Sequence, residues 1–283
     1  MLKVEDRVMP DYIQDPERPL RYSSIHVPAS SLKESINQIN DLALANAIQA
    51  VHVAYDERVD LSPLNDLHGI KILAIESRSP VRLPRELKVH GVKALFCNCH
   101  IFDSSAFPDL SYLETRHIDL SASSFKEGSE LKRICAIGFR CGGDLSGLAA
   151  LRKLVDLELV RARSITSLNG LQALSELRRL CLAQLSKLQS IEEIASLHKL
   201  ENLVVERLQG ISSYKAIAKV SSLKRLTITA SAPIDQLDTR QIDLLDILAI
   251  WDTKHPDELK SIIRSARARS AENAGQQMIG IDA

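Results

Sequence analysis

Residues 154–228 repeat one spacing of apolar residues four times, and this repetition restricts the folds that the chain can adopt. In the first set, Leu154, Leu157 and Leu159 stand three and then two positions apart. Later sets follow at one constant step along the chain: Leu177, Leu180, Leu182; Leu200, Leu203, Val205; and Leu223, Leu226, Ile228. Self-similarity with a period of about 20–29 residues is typical of proteins built from stacked repeats. A solenoid whose core grows by one layer per repeat is therefore expected.

Weaker copies of the spacing extend the pattern in both directions. They are Ile48, Val51, Val53; Ile70, Leu73, Ile75; Val92, Leu95, Cys97; Leu131, Ile134, Ala136; and Leu245, Leu248, Ile250. Between the third and fourth of these sets two registers compete. The register Leu113, Arg116, Ile118 keeps the step nearly constant but puts an arginine in the core, whereas Leu110, Leu113, Thr115 avoids the arginine and breaks the step. We adopt the first, with Arg116 bent toward solvent, and expect about ten parallel strands spaced by about 4.8 Å.

The segments on either side of the repeats predict caps that cover the ends of the solenoid. A short strand is expected around 21–27, and Ser31 with Glu34 has the form of a capping box that opens a helix over 31–47. After the last set, Pro256 and two acidic residues open a second helix, followed by a loose tail. These signals divide the chain into an N-terminal segment and capping helix (1–47), the solenoid (48–252), and a C-terminal capping helix and tail (253–283).

The period and spacing resemble those of leucine-rich-repeat proteins, in particular the short bacterial and SDS22-like class. The resemblance implies an α/β solenoid with a curved parallel sheet on the concave side, short helices or 3₁₀ turns on the convex side, and helical caps. Many members of the family carry an asparagine three residues after the last strand leucine. The residues at that position here are Ala162, Leu185, Leu208 and Ser231. The chain therefore lacks the asparagine ladder.

Bulk composition limits the compartment and the partners. Lys plus Arg and Asp plus Glu number 36 each, without the basic excess that a nucleic-acid or acidic-membrane binder shows. No apolar run approaches the roughly 20 residues of a membrane span, and the N-terminus has no apolar signal segment. The five cysteines are an odd number, which favours reduced thiols. We expect a cytoplasmic protein that binds neither nucleic acid nor membrane.

The strand side chains that alternate with the core leucines predict a binding surface, because they point to the concave side. Aromatic residues and arginines, the types enriched at interface hot spots, occur among them. The candidate partner-binding residues are Tyr55, Phe96, His117, Arg133, Glu158, Arg161, Arg179, Glu206, Arg207, Arg225 and Trp251. Trp251 has an alternative role, packing beneath the C-terminal helix.

Little in the sequence suggests catalysis or a cofactor. Phosphate-loop, dinucleotide, zinc-protease and serine-hydrolase motifs are all missing. Cys97-Asn98-Cys99-His100 lacks the second pair of ligands of a zinc site, and Cys97 is a core position, so we interpret these thiols as buried small hydrophobes. His117 beside Cys135, in the adopted register, is the one conceivable nucleophile–base pair. We therefore expect no metal, no cofactor and no catalytic residues.

Together these features predict a non-enzymatic protein-binding module that holds a protein partner on its concave sheet. Without a fused effector domain, it resembles an inhibitor or immunity protein that covers a toxin or an enzyme. A scaffold, adaptor or regulatory subunit is the alternative, and a cysteine-dependent enzyme is a third hypothesis. The sequence leaves the partner and the oligomeric state open.

Overall fold

The repeated three-residue sets of apolar side chains form a series of short strands. Outside residues 97–131, the second and third residues of each set lie on one strand, and their side chains are buried. The computed structural model describes residues 4–8, 21–56, 59–234 and 245–251. The strands in these ranges are β1 (Val4–Val8), β2 (Arg21–Pro28), β3 (Ala50–Ala54), β4 (Ile72–Glu76), β5 (Ala94–Asn98), β6 (Tyr112–Arg116), β7 (Arg133–Ile137), β8 (Asp156–Val160), β9 (Arg179–Ala183), β10 (Asn202–Glu206), β11 (Arg225–Thr229) and β12 (Ile247–Trp251).

The chain divides into two units, Met1–Ile134 and Cys135–Ala283. In the first unit, β1 pairs antiparallel with β2, and β2 to β6 then pair in parallel in sequence order. In the second unit, β8 to β12 pair in parallel in the same way. The register aligns the core positions, so that Leu157 lies beside Leu180 and Leu180 beside Leu203. Each of these leucines is fully buried, which confirms the repeat register predicted for this part of the chain.

The register adopted between residues 97 and 131 is wrong. Strand β6 pairs Leu113 with Leu95 and Thr115 with Cys97, as in the alternative register. The step from Leu95 to Leu113 is shorter than the steps between the other repeats, because the segment that connects these two strands is short. Thr115 is buried, and its hydroxyl lies 3.5 Å from the sulfur of Cys99. That contact accommodates a polar group in the core and leaves Arg116 exposed at the strand end.

The predicted N-terminal helix is present as α1 (Leu32–Leu44), which buries Leu32, Ile36, Ile39 and Ala43. The predicted capping box is not, because the Ser31 side chain makes no cap hydrogen bond. A 3₁₀ turn, Ala29–Ser31, leads directly into the helix, and the Leu32 N–H donates to the Ala29 carbonyl. The turn thereby satisfies a backbone donor at the helix start. Strand β2, which precedes α1, pairs with β3 and confirms the short strand expected around 21–27.

The connections between strands contain short 3₁₀ turns, as the resemblance implied. They are Ser62–Asp66, Ser104–Ala106, Ser146–Leu148, Leu171–Ala173, Glu192–Ser196 and Lys215–Lys219. At the positions of the missing asparagine ladder, Ala162, Leu185 and Leu208 are fully buried and simply extend the apolar core. The fourth position, Ser231, links neighbouring repeats, because its hydroxyl accepts from the Leu208 N–H at 3.2 Å.

None of the helices in the described ranges is long and apolar enough to cross a membrane. The predicted C-terminal capping helix and tail, 253–283, lie outside the described residues.

Candidate binding surface

In the five-residue strands β3 to β12, the side chains at the first, third and fifth positions lie on the face of the sheet opposite the leucine core, which we call the outer face. It corresponds to the predicted concave side. In β2 the register partners of these positions are Ser24, His26 and Pro28. In the first unit, the central column of this face reads His26, His52, Ala74, Phe96 and Glu114 along paired strands. The column before it reads Ser24, Ala50, Ile72, Ala94 and Tyr112. The outer face of this unit is therefore rich in apolar and ring side chains.

Phe96 lies at the centre of this apolar area. Its ring packs against a buried cluster formed by Ala50, Ile72, Ala94 and Tyr112. The Phe96 and Tyr112 ring centroids are 5.5 Å apart with planes tilted by 47°, an arrangement that aromatic pairs favour. Tyr112 donates its hydroxyl hydrogen to Glu114 at 3.0 Å, so the phenol is anchored and its ring holds Phe96 in place.

A cleft of about 590 Å³ opens beside Phe96. The burial of the lining residues defines its floor and its rim. The floor includes the buried residues His52, Ile72, Ala74, Ile75 and Cys97 and the half-buried Phe96. The rim includes the half-buried Glu114 and the exposed residues Glu76, Arg78, Arg116 and His117. The volume lies within the range of about 300–1,000 Å³ that is usual for ligand sites. An apolar centre within a polar rim is also the usual anatomy of a protein interface.

Two histidines stack at one end of this surface. The rings of His26 and His52 have centroids 4.5 Å apart and planes inclined by 24°. His52 Nδ1 lies 3.0 Å from Glu76 Oε1, and His26 Nε2 lies 3.8 Å from Glu5 Oε2. Histidine, cysteine, aspartate and glutamate side chains are the usual metal ligands. Within the described part of the chain, His26, His52 and Glu76 are the one group of three of these residue types that lie close enough together to share a metal ion. None of these three residues is among the predicted partner-binding residues, although extending the alternation of Ile25 and Val27 places His26 on the same face as His52.

The outer face of the second unit is charged rather than aromatic. Arg179 Nη1 lies 3.2 and 3.1 Å from the two Asp156 carboxylate oxygens, and 3.9 Å from Glu158. Burial acts to lower the pKa of Arg179, but the carboxylates of Asp156 and Glu158 outweigh it and the pKa is raised. Arg179 is therefore permanently charged and already paired. Two of the predicted binding residues, Arg179 and Glu158, thus lie in one ion-pair cluster.

Burial and the neighbouring Glu158 carboxylate raise the pKa of Cys181 to about 12. Its thiol stays protonated at neutral pH and is a poor nucleophile.

Three predicted binding residues occupy a recurring turn just after the strands. His117, Arg161 and Arg207 have φ values of 60°, 59° and 53°, which are left-handed. In the second unit, the N–H at this position bonds to the last residue of the next strand, as Arg161 does to Ala183 at 2.9 Å and Arg207 to Thr229 at 2.8 Å. All three side chains are exposed. Each of them is the first residue after its strand and so lies outside the strand columns of the outer face.

The remaining predicted residues lie at separate points of the two units. Tyr55 follows β3 and is half-buried, and its N–H donates to the Glu76 carbonyl at 2.8 Å. Arg133 begins β7 and Arg225 begins β11, where Arg225 is exposed. Glu206 ends β10 and lies 3.7 Å from Arg207 Nε. Trp251 ends β12 with 54% of its surface exposed; its role as contact or cap depends on residues outside the described ranges.

The structure removes the basis of the cysteine–histidine hypothesis. Glu114, not His117, occupies the central column of β6, and His117 lies beyond the strand in the turn. All five cysteines are buried, and none of them forms a disulfide. A hydrogen bond from the Cys97 thiol to Cys99, together with burial, raises the pKa of Cys97, and the same bond lowers the pKa of Cys99. Neither thiol is grouped with a third metal-ligating side chain in the described ranges.

Comparison with known proteins gives structural likenesses alone. No family model and no curated protein matches the chain. An internalin from Listeria monocytogenes str. 4b F2365 is 18% identical, covering 77% of this chain and 71% of its own, with a TM-score of 0.48. TLR13, in its complex with ssRNA13, is 15% identical. The match covers 82% of this chain and 39% of the TLR13 chain, with a TM-score of 0.50. A leucine-rich-repeat protein of Leptospira interrogans is 14% identical. The match covers 86% of this chain and 98% of that protein, with a TM-score of 0.25. At these identities the likeness concerns the fold.

Proposed function

We propose that this chain, which has the leucine-rich-repeat fold, is a non-enzymatic binding protein that holds a protein partner on the outer face of its first unit. The observation that carries the proposal is the cleft of about 590 Å³ with Phe96 in its floor and Glu76, Glu114 and Arg116 on its rim. Interface hot spots are aromatic or arginine side chains in such pockets, surrounded by polar groups that exclude water. A partner side chain inserted against Phe96 would bury apolar surface on both molecules.

The parallel strands favour binding because they are rigid before the partner arrives. Strands β3 to β6 are paired along their length, and Phe96 is already held by Tyr112. Little backbone or side-chain freedom is lost on docking, and such loss is a main cost of association. Rim charges of both signs, Glu114 and Arg116, would select a partner with complementary charges and speed its approach.

The outer face of the second unit, taken by itself, offers charge rather than apolar contact. Arg161 and Arg225 are exposed, and within the described residues neither forms an ion pair. Arg179 differs from them because Asp156 and Glu158 already neutralise it. Reversing its charge would place three carboxyl groups together and destabilise the unit. Arg225 is therefore the better residue for testing a charged contact.

The test is capture from native lysate, including the products of neighbouring genes, by untagged wild-type protein coupled to resin and by Phe96→Ala. Loss of a hot-spot aromatic costs about 2 kcal/mol or more, which is roughly a 30-fold loss of affinity. Ile101→Ala is the matched control, since Ile101 is a large apolar side chain in the same unit that is 59% exposed and lies outside the cleft. A stoichiometric protein retained by wild type and Ile101→Ala but lost by Phe96→Ala supports the proposal. Equal retention by all three contradicts it.

The finer role, an inhibitor or immunity protein that covers a toxin or enzyme, stays a prediction. It is supported by the paired strands beneath the cleft, because a surface that is rigid beforehand can cover an enzyme without an ordering cost. Adding the purified protein to its captured partner distinguishes this role from that of a scaffold or regulatory subunit. Stoichiometric loss of the partner's activity supports an inhibitor, and unchanged activity with a third protein recruited supports a scaffold.

A further inference from the structure

The stacked histidines and Glu76 form a side-chain cluster at one end of the cleft, and His52 and Glu76 are among the residues that line it. His26, His52 and Glu76 come from three consecutive parallel strands, β2, β3 and β4. His26 and His52 are direct partners in the register, and Glu76 is the partner of Ala54, two positions beyond His52 on the same face. The pleat therefore places two imidazoles and a carboxylate together on the outer face of the sheet.

The distances within this cluster suit one small cation. One donor atom from each residue lies within 4.8 Å of the other two. The separation of His52 Nδ1 and Glu76 Oε1 is 3.0 Å. In a tetrahedral zinc site with bonds of about 2.0–2.1 Å, neighbouring ligand atoms lie about 3.3 Å apart. The His52–Glu76 edge already has nearly this length, and the remaining edges require a contraction that the partly exposed His26 side chain can supply by rotation.

We propose that His26, His52 and Glu76 form a binding site for a divalent transition-metal ion of the zinc type. Two imidazole nitrogens and one carboxylate oxygen are a recurrent three-ligand set for zinc. Calcium and magnesium prefer sets made entirely of oxygen, so the two imidazoles select against them. The site shares His52 and Glu76 with the lining of the cleft. Its test is zinc binding rather than capture of a protein, so the metal proposal and the protein-binding proposal can each fail without the other.

Metal binding would change the relative orientation of the two rings. Each imidazole donates its lone pair in its own ring plane, and the planes of His26 and His52 are now inclined by only 24°. His52 is nearly buried, whereas the His26 side chain is 38% exposed. The His26 ring therefore turns, and His52 stays as the fixed ligand. This rotation would break the stacking contact and make both nitrogens converge with the Glu76 oxygen.

The surroundings supply charge and an open position. Glu5, on β1, lies 3.8 Å from His26 Nε2. It can orient that ring or bind as a fourth ligand, and it adds a second negative charge to that of Glu76. Both His52 and Glu76 also line the cleft. A metal held by three protein ligands would thus present its remaining coordination position toward the cleft, where water or an anionic donor completes the shell.

The experiment is calorimetric titration of untagged, EDTA-stripped full-length protein with zinc chloride. One equivalent is expected to bind to the wild type. Glu76→Gln and His26→Gln each remove one ligand from a partly or well exposed position, so both variants should fold. Loss of one of the three ligands should weaken binding by at least about the tenfold that loss of an outer-shell group causes. Cobalt(II) in place of zinc should show the visible absorption of a nitrogen- and oxygen-ligated ion without sulfur charge transfer.

His90→Gln is the matched control. His90 Nδ1 also faces a carboxylate, Asp109 Oδ2, at 3.7 Å in the same unit, and its side chain is 62% exposed. It belongs to no group of three potential ligands in the described ranges, so its loss should leave the affinity and stoichiometry unchanged. Absence of binding at 100 μM zinc overturns the proposal. Equal binding by wild type, Glu76→Gln and His26→Gln, or a cobalt spectrum with sulfur charge transfer, also overturns it by placing the metal elsewhere.

Discussion

Gly170 provides a sharp test of how closely neighbouring repeats pack. It precedes the 3₁₀ turn Leu171–Ala173 with a φ of 105°. A β-carbon added there would lie 2.4 Å from the Leu145 carbonyl carbon, 2.5 Å from its oxygen and 2.6 Å from the Ser146 nitrogen. All three atoms belong to the backbone of the preceding repeat. The clash therefore has to be relieved by moving backbone, and a change of side-chain rotamer does not suffice.

Gly143 is the matched control because it has almost the same backbone angle, a φ of 108°, in the same unit. A β-carbon there meets its nearest neighbour, Thr166 Oγ1, at an ordinary 3.6 Å. Both alanine variants carry the left-handed strain of about 1–2 kcal/mol, partly offset by about 0.4–1 kcal/mol of reduced entropy in the unfolded chain. Only Gly170→Ala adds overpacking, which costs about 1–3 kcal/mol or more.

We expect Gly170→Ala to lower the free energy of unfolding by about 2–4 kcal/mol and Gly143→Ala by about 1 kcal/mol. Moving the Leu145 backbone also disturbs the hydrogen bond that the Leu145 N–H donates to the Asn169 carbonyl at 2.8 Å. The measurement is urea denaturation followed by far-ultraviolet circular dichroism. The dependence of the unfolding free energy on urea concentration should be the same in the wild type and both variants, which would confirm that the same unit unfolds in each. Equal losses in the two variants would refute the close approach of these repeats.

Two further predictions concern the core and the thiol of the second unit. Leu180→Ala removes a fully buried side chain between Leu157 and Leu203. It should lower the free energy of unfolding, measured by chemical denaturation, by about 2–5 kcal/mol. A decrease of less than about 1 kcal/mol would contradict its place in the leucine stack. Cys181 keeps its proton up to about pH 12 when folded, whereas an unfolded thiol loses it near pH 8.5. Its contribution to stability is therefore complete below about pH 8.5 and declines as the pH rises toward 12, by at most about 1.4 kcal/mol per pH unit. Cys181→Ala should remove this decline in unfolding experiments between pH 8.5 and 10.5, and parallel pH profiles for variant and wild type would argue against a buried thiol.

Which residues lie on the outer face depends on the register of each strand, and the repeat period of the sequence did not define that register everywhere. Alternation along β8 to β11 was readable from the leucines, because a strand repeats every two residues and one face must be buried. Before β6 the step from the preceding strand shortens, and the preference for an even step selected the wrong residues. Glu114 was therefore missed as the neighbour of Phe96, and His117 was assigned to a strand that ends before it.

The sequence by itself determined the repeat, the evenly spaced strand positions of the second unit, the aliphatic core and helix α1, because each follows from local periodicity of apolar residues. The tertiary structure alone decided which polar side chains meet. Arg179 is paired with residues of the neighbouring repeat, and His26, His52 and Glu76 converge from three separate strands. Such contacts form between strands, so their partners depend on register and turn geometry, which a residue's own neighbours in sequence do not specify. The same holds for Gly170, whose need for glycine arises from the backbone of another repeat.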